Sequence, residues 1–78
     1  MPHVVVKMHA GKTPEQKAEF SAKIRDVFME TLSIPEKFIS VSVEDYDPKD
    51  WAGVYQEEIT DKPETLIIGP GYDGDMFS

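Results

Sequence analysis

The stretch that decides the fold is Pro2-His3-Val4-Val5-Val6-Lys7-Met8, which stands directly behind Met1. Its three consecutive valines favour a β-strand, because branched side chains fit a pleated sheet. They also put apolar side chains on both faces of the strand, which is typical of a central strand that is covered on two sides. Pro2 begins this strand, at the position where a missing backbone N–H disturbs a sheet least.

A long amphipathic helix is predicted after the loop that follows this strand. Thr13 is a suitable N-cap, Pro14 fits the first turn, and Gln16 completes a capping box. Apolar residues then recur at helical spacing, with most charged residues on the opposite side. These apolar positions are Phe20, Ile24, Val27, Phe28 and Leu32. The pattern predicts a helix from about Pro14 to Leu32, because the residue before Pro35 avoids helical geometry.

A second strand is predicted from Phe38 to Glu44. Ile39, Val41 and Val43 share one face of it, and polar residues share the other. Strand, long helix and strand form a β-α-β unit, whose two strands we expect to be parallel.

The remaining third of the chain predicts short C-terminal helices. Asp47 can cap the first of them, in which Trp51, Val54, Tyr55 and Ile59 lie at roughly helical spacing. The stretch Asp61-Lys62-Pro63-Glu64 resembles a second helix start. The acidic tail from Tyr72 to Ser78 is expected to be ordered only if Met76 or Phe77 contacts a partner subunit. The predicted fold class is therefore α/β (α+β), a β-α-β protomer with one long helix and short C-terminal helices.

Assembly is expected from burial alone. The 78 residues predict a single domain, 1–78, whose core is marginal for a chain of this length. The chain has no cysteine, so disulfides cannot support the core. One helix covers one face of a two-stranded sheet, whereas the consecutive valines need cover on both. A second copy of the chain is the simplest cover, so we predict a homo-oligomer that completes the sheet.

Charge and hydropathy exclude several kinds of partner. The net charge is −7 without a basic cluster, which makes nucleic acid and anionic membranes poor partners. No apolar run approaches the ~20 residues that span a bilayer, and no signal-peptide pattern is present, so we expect a cytoplasmic protein. His3 and His9 alone do not make a convincing metal site. No phosphate-binding loop is recognisable either, and we predict no cofactor.

Pro2 is the candidate catalytic residue. Proline at position two is a weak signal by itself, because proline makes up about 5% of all residues. Its context is informative, since removal of Met1 turns Pro2 into a free secondary amine at the tip of the strand. Such an amine is intrinsically too basic to be neutral at pH 7, but burial in an apolar site and nearby cations both lower its pKa. A neutral amine can abstract a proton and return it elsewhere, as a general base does.

The chain resembles the 4-oxalocrotonate tautomerase superfamily, small enzymes with an amino-terminal proline and a β-α-β protomer. The resemblance runs without gaps from Pro2, which matches the catalytic proline, to Trp51, which falls at the place of an active-site aromatic residue. Pro14-Glu15-Gln16-Lys17 is similar to the start of the family's helix. Met1-Pro2-His3, and Trp51 together with Pro70-Gly71-Tyr72, look closer to the phenylpyruvate tautomerase subgroup of bacterial dimers. The resemblance implies a cofactor-independent tautomerase with Pro2 as general base.

The chain departs from the family where the substrate carboxylate binds. Lys12 occupies the place of one family arginine and Ser40 the place of another. Lysine keeps the charge but loses the bidentate fork of arginine, and serine loses the charge. The resemblance therefore implies a monocarboxylate of the 2-hydroxy-2-enoate or phenylenolpyruvate type, held by Lys12 and Ser40, with its apolar part on Trp51. The longer tail after Ile68 favours a dimer over a hexamer.

Two other interpretations stay open. The same site could serve a hydratase or dehalogenase of unsaturated acids, with Pro2 as a cation. Superfamily members of that kind carry additional arginines, whereas Arg25 is the only arginine here. Alternatively, the chain is a non-catalytic βαβ dimerisation module, in which Pro2 only begins a strand and Trp51 lies in an interface.

Overall fold

The computed structural model describes residues 1–77 of the 78-residue chain. The chain separates into two compact units, Met1–Asp45 and a second unit that begins at Tyr46. The prediction of a single domain over 1–78 stays a prediction. Among residues 1–77, no helix is both long and apolar enough to cross a lipid bilayer.

The first unit is a β-α-β arrangement built on the valine strand. Strand β1 is His3–His9, helix α1 is Pro14–Leu32 and strand β2 is Ser40–Tyr46. The strands β1 and β2 are hydrogen-bonded neighbours in one two-stranded parallel sheet. The predicted fold class, α/β (α+β) with a β-α-β protomer, is confirmed.

Helix α1 begins and ends where its capping residues predict. The hydroxyl of Thr13 accepts a hydrogen bond from the backbone N–H of Gln16 at 3.1 Å, and the Gln16 side chain accepts one from the Thr13 N–H at 2.9 Å. This reciprocal pair satisfies two backbone donors that a helix start leaves without partners. At the other end, Ser33 adopts a left-handed conformation with φ of 55°, two residues before Pro35.

The second strand begins two residues later than predicted, so the assignment of Phe38 to it is wrong. Glu36–Phe38 forms a 3₁₀ turn. The N–H of Phe38 donates to the Pro35 carbonyl at 3.1 Å, and the N–H of Ile39 donates to that of Glu36 at 3.0 Å. Pro35 fixes its own φ and favours a turn directly after it. The apolar alternation that predicted the strand carries no sign of this turn.

The second unit carries the first predicted C-terminal helix in three short pieces. Pro48–Asp50 is a 3₁₀ turn, helix α2 is Trp51–Tyr55, and Gln56–Thr60 is a single π-helical turn. Asp47 caps the start as predicted, because its side chain accepts a hydrogen bond from the Lys49 N–H at 3.0 Å. Val54 in α2 is 6% exposed and is the only buried residue in the described range 1–77.

The prediction of a further helix beginning at Asp61-Lys62-Pro63-Glu64 is wrong. This segment makes one turn, in which the Thr65 N–H donates to the Lys62 carbonyl at 3.2 Å. Ile67 and Ile68, which follow this turn, are 90% and 86% exposed. A single helical turn has little stability of its own, and these side chains bury too little apolar surface to supply it.

The tail forms a 3₁₀ turn at Gly74–Phe77. The ring of Phe77 lies 5.5 Å from that of Tyr55 and 6.0 Å from that of Tyr72, measured between centroids. Phe77 therefore has aromatic neighbours within its own unit, and the dependence of the tail on a partner subunit stays a prediction. Ser78, the last residue of the predicted tail, lies outside the described residues.

Candidate active site

Pro2 directly precedes β1, whose first residue is His3, and is half-buried. Its carbonyl oxygen accepts a hydrogen bond from the backbone N–H of Ser40 at 3.3 Å, which ties this end of β1 to the start of β2. Met1 is 100% exposed. Removal of Met1 therefore takes away no buried surface, while the backbone of Pro2 keeps its link to the sheet.

His3 bridges two serines of β2 beside Pro2. Its Nδ1 atom lies 2.7 Å from Oγ of Ser40, and its Nε2 atom lies 3.3 Å from Oγ of Ser42. A hydroxyl can donate or accept, so this arrangement suits either tautomer of the imidazole. The contact of His3 with the two serines was not evident from the sequence, because their alternation along β2 says nothing about the register of β2 against β1.

Lys12 lies in the loop beyond the other end of β1. Gly11 just before it has φ of 128°, a conformation that residues with a Cβ rarely adopt. A seven-residue strand spans roughly 20 Å, so Lys12 and Pro2 of one chain cannot contact the same small substrate. The Lys12 side chain makes no hydrogen bond or ion pair with any of residues 1–77. It lines a cavity of about 240 Å³ together with Met8, Gln16, Lys17 and Phe20.

Trp51 belongs to the second unit, where it is the first residue of α2. Its Nε1–H donates a hydrogen bond to the hydroxyl of Tyr72 at 2.9 Å. Its ring also meets the ring of Tyr46 nearly edge-on, with centroids 6.1 Å apart and planes at 79°. Neither partner was evident from the sequence, although Tyr72 is part of the stretch Pro70-Gly71-Tyr72 that carries the family resemblance.

The structure thus brings together two of the four predicted site residues. Pro2 and Ser40 are hydrogen-bonded at the start of the sheet. Lys12 lies at the far end of β1, and Trp51 stands in the second unit. The catalytic role of Pro2 and the substrate-binding roles of Lys12, Ser40 and Trp51 stay predictions. No group of three or more His, Cys, Asp or Glu side chains suited to a metal ion occurs within residues 1–77.

Two structures and one curated protein illustrate what the chain is similar to. Tautomerase PptA of Escherichia coli (strain SMS-3-5 / SECEC) is 36% identical over 73 residues, which cover 92% of this chain and 97% of that protein. The crystal structure of TomN, a 4-oxalocrotonate tautomerase homologue in the tomaymycin biosynthetic pathway, superposes with a TM-score of 0.62 at 28% identity, covering 64% of this chain and 77% of TomN. A structure of the 4-oxalocrotonate tautomerase isozymes from Methylibium petroleiphilum superposes with a TM-score of 0.61 at 26% identity, covering 64% and 81%.

The model of the family described as "Tautomerase enzyme" matches residues 2–62, which include both strands, the long helix and Trp51. The resemblance to the 4-oxalocrotonate tautomerase superfamily is confirmed. Because the family match spans most of the chain and a relative of 36% identity spans nearly all of it, the chain belongs to the tautomerase family and is a tautomerase enzyme.

Proposed function

We propose that this tautomerase is cofactor-independent and ketonises a monocarboxylate of the 2-hydroxy-2-enoate or phenylenolpyruvate type, with Pro2 as general base. The observation that carries the proposal is the placement of Pro2. Pro2 directly precedes β1, its carbonyl accepts a hydrogen bond from the Ser40 N–H, and Met1 on its nitrogen side is fully exposed. Removal of Met1 would leave a secondary amine anchored at one side and open at the other.

The proposed reaction moves one proton and consumes none. The neutral Pro2 amine takes the proton from the 2-hydroxyl of the enol and becomes a cation. The electron pair of the O–H bond forms the C2=O bond, and the electrons of the C2=C3 bond take up a proton at C3 from the cationic amine. The amine is neutral again at the end, which is the behaviour of a general acid–base catalyst. With Met1 in place, the Pro2 nitrogen is an amide and has no basic electron pair for this step.

Ser40 and Lys12 are proposed to hold the negative charge of the substrate. Donors aimed at an oxygen whose charge grows during the reaction lower the barrier. Ser40 can act beside Pro2 of its own chain, because its backbone N–H already contacts the Pro2 carbonyl. Lys12 of the same chain is too far away, with β1 between them. Lys12 is therefore proposed to come from a second copy of the chain.

The surroundings of Lys12 favour a substrate that is anionic at one end and apolar at the other. Its cavity combines the ammonium groups of Lys12 and Lys17 with the apolar side chains of Met8 and Phe20. Lys17 is already paired with Asp45 in the first unit, whereas Lys12 is not paired within residues 1–77. One available cation suits one carboxylate. We assign the apolar wall for the remainder of the substrate to Trp51.

We further propose a homodimer, with a hexamer as the alternative. Val27 and Leu32 on α1 are each 58% exposed. They line an open groove of about 350 Å³ together with Phe20, Ile24 and Phe28. Exposed apolar patches of this kind are typical of protein–protein interfaces. A second copy that covers α1 and the valine strand would also supply the missing Lys12. The cytoplasmic location stays a prediction from the sequence.

The alternative functions have less support. A hydratase or dehalogenase would need arginines, and Arg25 is engaged with Asp26 and Glu36, each at 3.4 Å. Nothing in the described residues supplies a second guanidinium group, since the sequence has one arginine. The non-catalytic dimerisation module is set aside, because the chain is a member of an enzyme family.

The test is the ketonisation of phenylenolpyruvate and 2-hydroxymuconate by protein whose loss of Met1 is confirmed by mass spectrometry. We expect Pro2→Ala, which replaces the secondary amine by a less constrained primary amine, to lower kcat/KM by roughly tenfold or more, a part of the contribution of a general base. The wild-type rate should rise with pH as the amine loses its proton, because only the neutral amine accepts one. Pro63→Ala, which changes a proline in an exposed turn, is the matched control. Equal rates for wild type and Pro2→Ala, or full activity with Met1 retained, contradict the proposal.

A further inference from the structure

The second unit contains an aromatic cluster with Tyr72 near its centre. Besides accepting the hydrogen bond from Trp51, Tyr72 lies 5.7 Å from the ring of Tyr55 and 6.0 Å from that of Phe77. Tyr55 and Phe77 lie 5.5 Å apart, so the three rings contact one another pairwise. Tilted and edge-to-face pairs at such distances are favourable beyond the area they bury. The position of Tyr72 is thus held by two other rings.

The hydrogen bond to Tyr72 determines what Trp51 can offer to a ligand. An indole has one polar group, the Nε1–H, which can only donate. In this structure that group donates to the Tyr72 hydroxyl at 2.9 Å. The ring of Tyr46 also packs against the indole, with the two ring planes at 79°. Trp51 is therefore oriented by two neighbours, and it presents an apolar ring rather than a donor.

We propose that Tyr72 is a positioning residue that sets the orientation of the Trp51 indole and thereby the preference of the site for aromatic over aliphatic monocarboxylates. This inference rests on the role of Trp51 in the proposed function. Tyr72 lies beyond residues 2–62, the part that the family model matches. The preference thus depends on the C-terminal segment, which the shared β-α-β unit does not include.

The chain offers a clean test, because Trp51 is its only tryptophan. One indole N–H resonance in a ¹H–¹⁵N spectrum, and the fluorescence excited where tyrosine does not absorb, therefore both report on this residue. Tyr72→Phe removes the accepting hydroxyl and keeps the ring. Tyr55→Phe removes a hydroxyl from the neighbouring ring, which has no hydrogen bond to Trp51, and is the matched control. We expect the indole resonance to shift in Tyr72→Phe and to stay in place in Tyr55→Phe.

Ligand preference is measured by equilibrium binding, which needs no turnover. Two unreactive probes are titrated against the fluorescence of Trp51: 3-phenylpropionate, an aromatic monocarboxylate, and hexanoate, an aliphatic one. We expect wild type to bind 3-phenylpropionate more tightly. Tyr72→Phe should weaken that binding by roughly threefold to tenfold, the effect of losing one hydrogen bond that orients a binding group. Hexanoate binding, and both affinities of Tyr55→Phe, should stay within twofold of wild type.

The inference is overturned if the indole resonance does not move in Tyr72→Phe, if the ratio of the two affinities is unchanged, or if wild type does not prefer the aromatic probe. It is also overturned if Tyr55→Phe has the same effect, because the cause is then packing of the cluster. A wild-type protein that discriminates between the probes but does not ketonise either enol overturns the proposed substrate class and leaves the role of Tyr72 supported.

Discussion

At the residue scale, the side chains that could bind a substrate carboxylate differ in whether they already have partners within residues 1–77. The hydroxyl of Ser40 lies 2.7 Å from Nδ1 of His3, so its orientation is fixed by that contact. The guanidinium of Arg25 is engaged by two carboxylates. Lys12 makes no such contact within residues 1–77 and lines a cavity with apolar walls. We therefore expect Lys12 to carry most of the affinity for a carboxylate.

Replacement of Lys12 tests this expectation. We expect Lys12→Met to raise KM for phenylenolpyruvate by about tenfold, with a smaller change in kcat, because a cation that binds the carboxylate of substrate and transition state alike mainly affects binding. Lys12→Arg should keep KM within about threefold, since the charge remains and a bidentate fork is gained. The measurement is steady-state kinetics of all variants.

Lys37→Met is the matched control for the lost charge. Lys37 is exposed, and its ammonium group lies 5.0 Å from the ring centroid of the adjacent Phe38. Its replacement should leave KM unchanged. An equal rise of KM in Lys12→Met and Lys37→Met would instead mean that the general charge of the surface steers the substrate.

At the element scale, contacts between residues that are close in the sequence explain α1 better than they explain the segments on either side of it. The capping box and Ser33 define both ends of α1. The 3₁₀ turn at Glu36–Phe38 and the irregular segment after Thr60 follow from backbone preferences of prolines and from lack of packing. Both segments contain apolar residues at the spacing of a strand or a helix, yet neither forms the element that was predicted for it.

Loss of the cap should destabilise α1 measurably. We expect Thr13→Ala to lower the free energy of unfolding by about 1 kcal/mol per protomer, because the Gln16 N–H loses the acceptor that it has at 3.1 Å. Chemical denaturation followed by circular dichroism at constant protein concentration measures this change. Thr13→Ser keeps the hydroxyl and should stay close to wild type. Similar losses in both variants would show that the methyl group of Thr13, and not the cap, stabilises the helix start.

At the scale of the whole molecule, the described chain alone buries almost no side chain completely. Only Val54 is buried among residues 1–77, and α1 contains no buried residue. A chain of this length buries about 60% or somewhat more of its unfolded surface at best, so it has little stability to spare. Burial of the α1 groove and the valine strand against a second copy would relieve this deficit.

A charge in the groove tests the proposed dimer. We expect Val27→Lys to weaken self-association by at least about tenfold, because burying an unpaired ammonium group in an apolar interface is strongly unfavourable. Sedimentation equilibrium over a range of concentrations measures the dissociation constant. Glu30→Gln makes the same change of net charge on an exposed residue of α1 outside the groove. A Val27→Lys protein that assembles as tightly as Glu30→Gln would show that copies associate through another surface.

The sequence by itself determined the β-α-β order, both ends of α1 and the placement of Pro2 at a strand start. These features depend on side chains that are neighbours along the chain, such as Thr13 with Gln16, or on the intrinsic preference of three valines. The tautomerase resemblance and the four candidate site residues were likewise accessible from residue identities.

Only the tertiary structure decided how distant residues meet. The register that sets His3 between Ser40 and Ser42, and the hydrogen bond from Trp51 to Tyr72, join residues more than 20 positions apart, for which no local pattern exists. The same holds for Lys12 and Pro2, which a continuous strand keeps apart in one chain. Spacing along a sequence governs local backbone conformation, whereas contacts between segments depend on register and packing, which arise only when the whole chain folds.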